Sequence, residues 1–303
     1  AQILVELIKM ANLFITITKS LACADRVAAV MQLDSGAHGG NKLPANGSPC
    51  GSVEFKNVSF EYKNAGAEAL FDISFFAKPG QTVGIIGGTG SGKSTLVNLV
   101  PNFYSATKGQ VLIDGVNADE YDRAALLSAV SVVPQKAVLF EGTIRSNLLM
   151  GNPNASEAEL FSALETAQAA EIVRTKPNGI DEPVLRGGSN FSGGQKQRLS
   201  IARALVHGGR ILILDDSASA LDFATDAKLR AAIRKLSPAP TTFMSMHIQT
   251  RCNKPQSRLW LVACDYNLPP VPAREISRTV APIPVPAVHS IVAVIPQSGL
   301  YGR

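Results

Sequence analysis

Eight consecutive residues, Gly87-Gly88-Thr89-Gly90-Ser91-Gly92-Lys93-Ser94, carry the densest chemistry in the chain. Gly87, Gly92, Lys93 and Ser94 meet the spacing GxxxxGK(S/T). Glycines so spaced let successive backbone N–H groups turn inward on a polyphosphate, and Gly88 and Gly90 loosen the loop further. Lys93 is then placed to reach the β- and γ-phosphates and the Ser94 hydroxyl to ligate Mg²⁺, with Thr89, Ser91 and Thr95 completing the contacts. A short apolar strand, Thr82–Ile86 (TVGII), precedes the loop. An apolar helix through Leu96, Val97, Leu99 and Val100 begins near Lys93, and its dipole favours an anion at that end. The chemistry expected of these residues is binding of ATP with Mg²⁺.

A second apolar run, Ile211-Leu212-Ile213-Leu214, leads into Asp215-Asp216. A buried strand that delivers carboxylates at its C-terminal end matches the second Mg²⁺-binding element of P-loop NTPases. Asp215 is the expected metal partner, and Asp216 stands where an acid can orient an attacking water. Aspartate also ends strands in ordinary turns. The pairing with the phosphate loop favours the functional role.

These residues need a scaffold, and the chain supplies alternating strands and helices. Val53 and Phe55, then Val58 and Phe60, alternate as in paired strands; TVGII and ILIL read as buried parallel strands. Helical patterns run around Glu157–Ala170 and Lys196–Leu205. The order argues an α/β domain with a mainly parallel sheet. Residues 1–33 read as one helix, with Ile3, Leu7, Met10, Ala11, Phe14 and Leu21 on one stripe. Glu6 and Lys9 interrupt it, which leaves two readings open: an amphipathic packing helix, or the cytoplasmic end of a membrane helix. Residues 35–52 are rich in Gly, Asn, Ser and Pro and read as a linker. Beyond Ser237 lie ten of the eighteen prolines, so no compact fold is expected for residues 265–303.

Bulk properties narrow the class. The 303 residues are 46% hydrophobic and 17% charged, enough for one large domain or two smaller ones. The net charge of +5 is carried by scattered lysines and arginines without a run of five, so a nucleic-acid partner is not indicated. Cys23, Cys50, Cys252 and Cys264 have neither metal-site nor disulfide-framework spacing, which favours a reducing compartment. A first residue of Ala rather than Met, with no signal-peptide layout, is expected of a fragment or processed product.

Phe191-Ser192-Gly193-Gly194-Gln195, followed by the helical stretch Lys196–Leu205, closely resembles the signature motif of ABC-transporter ATPases. The resemblance spans Val53 to His247 and implies an ABC-type P-loop NTPase. Its expected parts are a mixed or parallel core sheet, an antiparallel β subdomain and a helical signature subdomain behind a long N-terminal helix. It implies that Ser192, Gly193, Gly194 and Gln195 contact the γ-phosphate of ATP held by a second ABC subunit, in a head-to-tail homo- or heterodimer. It places Tyr62, 31 residues before Lys93, as the aromatic that stacks on adenine. Gln135 resembles the residue that touches Mg²⁺ in a loop facing the transmembrane partner. Leu139–Asn147 extends the match and is typical of exporters. Ser219-Ala220-Leu221-Asp222 resembles the loop that communicates between the two sites, and His247, 31 residues after Asp216, resembles the switch histidine at the γ-phosphate. The N-terminal helix then looks like the end of the last transmembrane helix. The implied layout is membrane helix 1–34, linker 35–52, ATPase 53–247 and a divergent tail 248–303. The protein would lie in the cell membrane with its ATPase on the cytoplasmic side.

Three departures stand out. Asp216 occupies the usual place of a catalytic glutamate, so its carboxylate retreats by roughly an ångström, a displacement that can cost about a hundredfold in rate. The expected result is slow hydrolysis at this loop, as in heterodimeric exporters with one degenerate site. Arg186 stands where the family often has an acidic residue that couples to the membrane domain. In the tail, only Arg258–Val262 (RLWLV) reads as a family strand; bare apolar surface, reduced stability and proteolytic nicking beyond about residue 265 are expected there. The favoured function is the ATPase of an exporter subunit, with a soluble non-transport ABC ATPase and a non-hydrolysing ATP-binding subunit as rivals.

Overall fold

The computed structural model describes residues 2–32, 40–44, 50–63, 65–217, 221–247, 259–264 and 290–294. The chain divides into two units, residues 1–37 and 38–303.

The first unit is one helix, α1 (Gln2–Met31). Thirty residues at about 1.5 Å rise give roughly 45 Å, more than a bilayer core requires. The helix is long and apolar enough to cross a membrane by length and composition. Glu6 and Lys9, the charges that interrupt the stripe, pair with each other at 2.9 Å, one turn apart.

The second unit begins as an antiparallel sheet of order β2-β1-β4-β5, made of β1 (Val53–Glu61), β2 (Glu68–Ala77), β4 (Lys108–Ile113) and β5 (Val116–Asn117). Val53, Phe55, Val58 and Phe60 all lie on β1, so the paired-strand reading of this stretch is corrected to one strand. Its inward parity switches because Asn57 adopts φ +49, a bulge that inserts one extra residue between Phe55 and Val58. The strand pairs with β2 on one side, Val53 opposite Ala77 and Phe55 opposite Phe75, and with β4 on the other, Val53 opposite Ile113.

The larger sheet has the order β12-β11-β3-β10-β9-β6. Its parallel heart is β3 (Thr82–Gly87), β10 (Thr241–His247), β9 (Ile211–Leu214) and β6 (Val130–Val133). The period of two sorts their side chains between two cores. Val83, Ile85, Ile211, Ile213 and Phe243 join the core under the antiparallel sheet and α2 (Lys93–Leu99), while Leu212, Leu214 and Met244 join a second core. That second core is walled by α4 (Ile144–Leu149), α5 (Glu157–Thr166), α6 (Ala170–Arg174), α7 (Gly193–His207) and α8 (Phe223–Arg234). The helical stretch expected over 157–170 breaks after Thr166, where Gln168 turns to φ +57. α3 (Arg123–Ala129) and a two-residue pair, β7 (Gly142–Thr143) with β8 (Pro183–Val184), complete the unit.

Part of the stretch read as a linker is fastened to this unit. Gly40 and Lys42 bridge to Asp122 and Tyr121, and the Gly51 and Ser52 amides both donate to Asp114 Oδ1 at 2.6 and 2.8 Å. In the tail, β11 (Leu259–Cys264) pairs antiparallel with β3, and β12 (Ser290–Val294) pairs parallel with β11. The second strand departs from the expectation for residues 265–303. Its sequence, SIVAV, is a β-branched run between Pro286 and Pro296, so the proline argument does not reach it. The rest of the tail, and the nicking expected there, lie outside the described residues.

Candidate functional site

Four parallel strands deliver their carboxyl ends to one edge of the sheet, where open α/β sheets place ligands. The phosphate loop follows β3, Gln135 lies two residues beyond β6, Asp215 and Asp216 follow β9, and His247 ends β10. His247 pairs in register with Gly87, so the backbone sets it beside the start of the loop. The His247 side chain lies outside the described residues, as do Ser219 and Ala220.

The loop turns through left-handed backbone at Gly90 (φ +78) and Gly92 (φ +89). Gly92 occupies the N-cap position of α2, and no side chain caps that helix, so its first amides are left for an outside acceptor. Lys93 is buried and donates from Nζ to the Gly87 and Gly88 carbonyls at 2.9 and 2.8 Å. Burial holds its ammonium below the usual lysine range; Asp216 and then Asp215 oppose that shift. Ser91 Oγ is buried with no hydrogen-bond partner, while Thr89, Gly90 and Ser94 are exposed. The loop thus gathers an uncapped helix start, an ammonium held on the Gly87 and Gly88 carbonyls, and an orphaned hydroxyl, a set of donors in one place. That is the complement of a polyphosphate.

The acidic half is equally organised. The Asp215 amide donates to the Val133 carbonyl at 3.0 Å, extending the pairing of β9 with β6 up to the carboxylate. Asp216 stands at φ +45, and its Oδ2 accepts from Gln135 Nε2 at 3.1 Å. Ser245, on β10, was not singled out from sequence: its hydroxyl donates to Asp215 Oδ1 at 2.7 Å and accepts from the Asp216 amide at 2.6 Å. Its only signal in the sequence is a small polar residue in a buried strand, two positions before His247. Ser94, Asp215 and Gln135 are oxygen donors of the kind a hard cation such as Mg²⁺ takes, so the residues fit the ion.

Tyr62 comes close to the loop: its hydroxyl lies 2.9 Å from Thr95 Oγ1. Phe60 and Tyr104 meet its ring edge-on at centroid distances of 4.8 and 5.5 Å, so Tyr104 joins an aromatic cluster that sequence alone did not reveal.

The signature residues are not part of this cluster. Ser192 caps α7 in a reciprocal box, its hydroxyl accepting from the Gln195 amide at 3.3 Å and Gln195 Oε1 accepting from the Ser192 amide at 3.0 Å. Ser192 and Gly193 are exposed, and their flanking residues Phe191 and Leu199 belong to the second core, whereas the phosphate-loop helix belongs to the first. Asp222 takes a structural place as N-cap of α8, accepting from the Thr225 amide at 2.9 Å; that bond lowers its carboxyl below the usual range. Arg186 is exposed beside exposed Leu185.

Comparison with known proteins agrees with this geometry. The family model described as ABC transporter matches residues 70–219. An uncharacterised ABC transporter ATP-binding protein of Mycobacterium tuberculosis is 41% identical over 242 residues, covering 78% of this chain and 41% of the relative. The beta-(1→2)glucan export ATP-binding/permease protein NdvA of Bartonella bacilliformis is 42% identical over 205 residues, covering 68% of this chain and 34% of the relative. A solved bacterial Atm1-family ABC exporter with ATP bound superposes with a TM-score of 0.68 at 32% identity, covering 77% of this chain and 41% of that one. The chain thus spans about two fifths or less of the length of these relatives. With its phosphate loop, acidic strand end and signature helix in one αβ unit, the chain carries the ATP-binding domain of the ABC transporter family.

Proposed function

We propose that this chain is the ATP-hydrolysing part of an exporter subunit whose membrane domain drives substrate across a bilayer. The observation that carries the proposal is the division of the ATP machinery into two places. Loop, carboxylates and Gln135 share one sheet edge, while Ser192 and Gly193 stand exposed, with Gly194 and Gln195 half-buried, at the start of a helix that packs into the second core. A signature that faces solvent can complete the site of a second ABC subunit, homo- or heteromeric, and receive its own complement in return.

Within such a composite site Lys93 and the loop amides hold the phosphates and offset the charge that spreads over them during transfer to water. Tyr62 carries the base. Asp216, held by Gln135, orients the water, and His247 contacts the γ-phosphate. Ser94, Asp215 and Gln135 would hold Mg²⁺, which would supply neutralisation of the phosphate charge. The exporter relatives, and the length and apolar composition of α1, support a membrane location with the ATPase on the cytoplasmic side.

A complementation assay tests the composite site. Lys93→Ala and Ser192→Ala variants of the full-length subunit should each lose ATPase activity, and mixing them should restore part of it, because one site of the mixed dimer is intact. No recovery on mixing would oppose shared sites. A second reading, a subunit that binds ATP and turns it over slowly, is favoured by Asp216 alone; phosphate release from the assembled wild-type transporter decides between them.

A further inference from the structure

Ser245 is 2% exposed and sits one residue beyond Met244, which pairs in register with Leu214. That register sets Ser245 opposite Asp215. A serine hydroxyl has one proton to give and lone pairs to receive with. Here the proton goes to Asp215 Oδ1 and a lone pair takes the Asp216 amide, so one hydroxyl grips both acidic residues. The strand itself has no need of a hydroxyl there: an aliphatic residue would serve its packing and make neither bond.

Two consequences follow for the carboxylates. With Oδ1 engaged, Asp215 Oδ2 accepts no hydrogen bond among the described residues and is the oxygen left for a cation. Asp216 sits in left-handed backbone, a conformation that disfavours side chains and needs an external hold. Ser245 Oγ holds it from the main chain, and Gln135 Nε2 holds its carboxylate.

We propose that Ser245 is a positioning residue for Mg²⁺, fixing the Asp215 carboxylate with Oδ2 outward and pinning the turn that carries Asp216. The proposal rests on the MgATP reading of the site. Supports of this kind, one step back from the metal, typically cost about ten- to a hundredfold in metal affinity when removed.

The test titrates the 303-residue chain with a fluorescent ATP analogue, with Mg²⁺ and with EDTA in its place. Wild type should bind more tightly with Mg²⁺. Ser245→Ala should lose about tenfold or more of that enhancement while metal-free binding stays at the wild-type level. Ser245→Thr, which keeps the hydroxyl, should restore it. Should the alanine variant not fold, Ser245→Cys keeps the volume with a weaker donor and should lose enhancement in the same direction. A Ser245→Ala or Ser245→Cys chain with full enhancement, or an equal loss with and without Mg²⁺, overturns the role of Ser245. A wild-type chain that gains nothing from Mg²⁺ overturns the MgATP reading instead.

Discussion

Gly90 and Gly92 lie two residues apart in the phosphate loop, and the structure separates what an added methyl costs at each. Both sit at positive φ, +78 and +89, where a β-carbon costs about 1–2 kcal/mol. At Gly90 a Cβ would meet nothing within 4 Å. At Gly92 it would fall 2.8 Å from the Ala69 carbonyl oxygen and 2.8 Å from Leu70 Cδ2. Leu70 is buried and the carbonyl belongs to β2, so neither can withdraw freely, and overpacking of that kind adds roughly 1–3 kcal/mol. Gly90→Ala should therefore lower the thermal midpoint by about 2–4 °C, taking 1 kcal/mol of cost in a domain of this size. Gly92→Ala, at about 3 kcal/mol in total, should lower it by roughly 6–12 °C. Differential scanning fluorimetry of the two variants without nucleotide reads the difference directly. Equal shifts, or a larger shift for Gly90→Ala, would refute the packing argument.

Three further outcomes are expected. Ser156→Ala removes the hydroxyl that accepts from the Glu159 amide at the start of α5, and should cost about 1 kcal/mol in urea unfolding with nucleotide affinity unchanged. Asp181 accepts from the Arg145 guanidinium at 2.7 and 3.0 Å, and that bond holds its carboxyl below the usual range. A depressed carboxyl contributes stability above its unfolded value near 3.8 and loses it as pH falls through the folded value, so Arg145→Met should be slightly less stable than wild type at neutral pH, and urea unfolding should show that small difference vanish as pH falls below about 4. Asp216→Glu, which restores the missing methylene, should raise the ATPase rate of the assembled transporter; an unchanged rate would mean that side-chain length does not limit turnover.

What the sequence made legible was contiguous. GxxxxGKS, ILILDD and SGGQ each carry their function within a few residues, and each lies where its strand or helix would put it. The bulge at Asn57 was hidden because a single left-handed residue flips the inward parity, and two half-strands of opposite parity look like two strands. Ser245 was hidden for a different reason. Its partners lie about thirty residues upstream and meet it only through the parallel register of β10 with β9. The contact of Tyr62 with Thr95, 33 residues apart, likewise joins residues distant in the chain, here just past the end of β1 and on the helix α2. The family resemblance placed Tyr62 near the loop, but only the fold shows its hydroxyl on Thr95 and its ring against Phe60 and Tyr104.

The central claim is that the loop from Gly87 to Thr95 holds a nucleotide, and isothermal titration of the chain with MgATP meets it most directly. Saturable one-site binding is expected, together with its loss in a Lys93→Ala variant that circular dichroism shows to be folded, because Lys93 Nζ is the loop's buried cation. No saturable heat from the wild-type chain, or undiminished binding by Lys93→Ala, would contradict a nucleotide site at this loop.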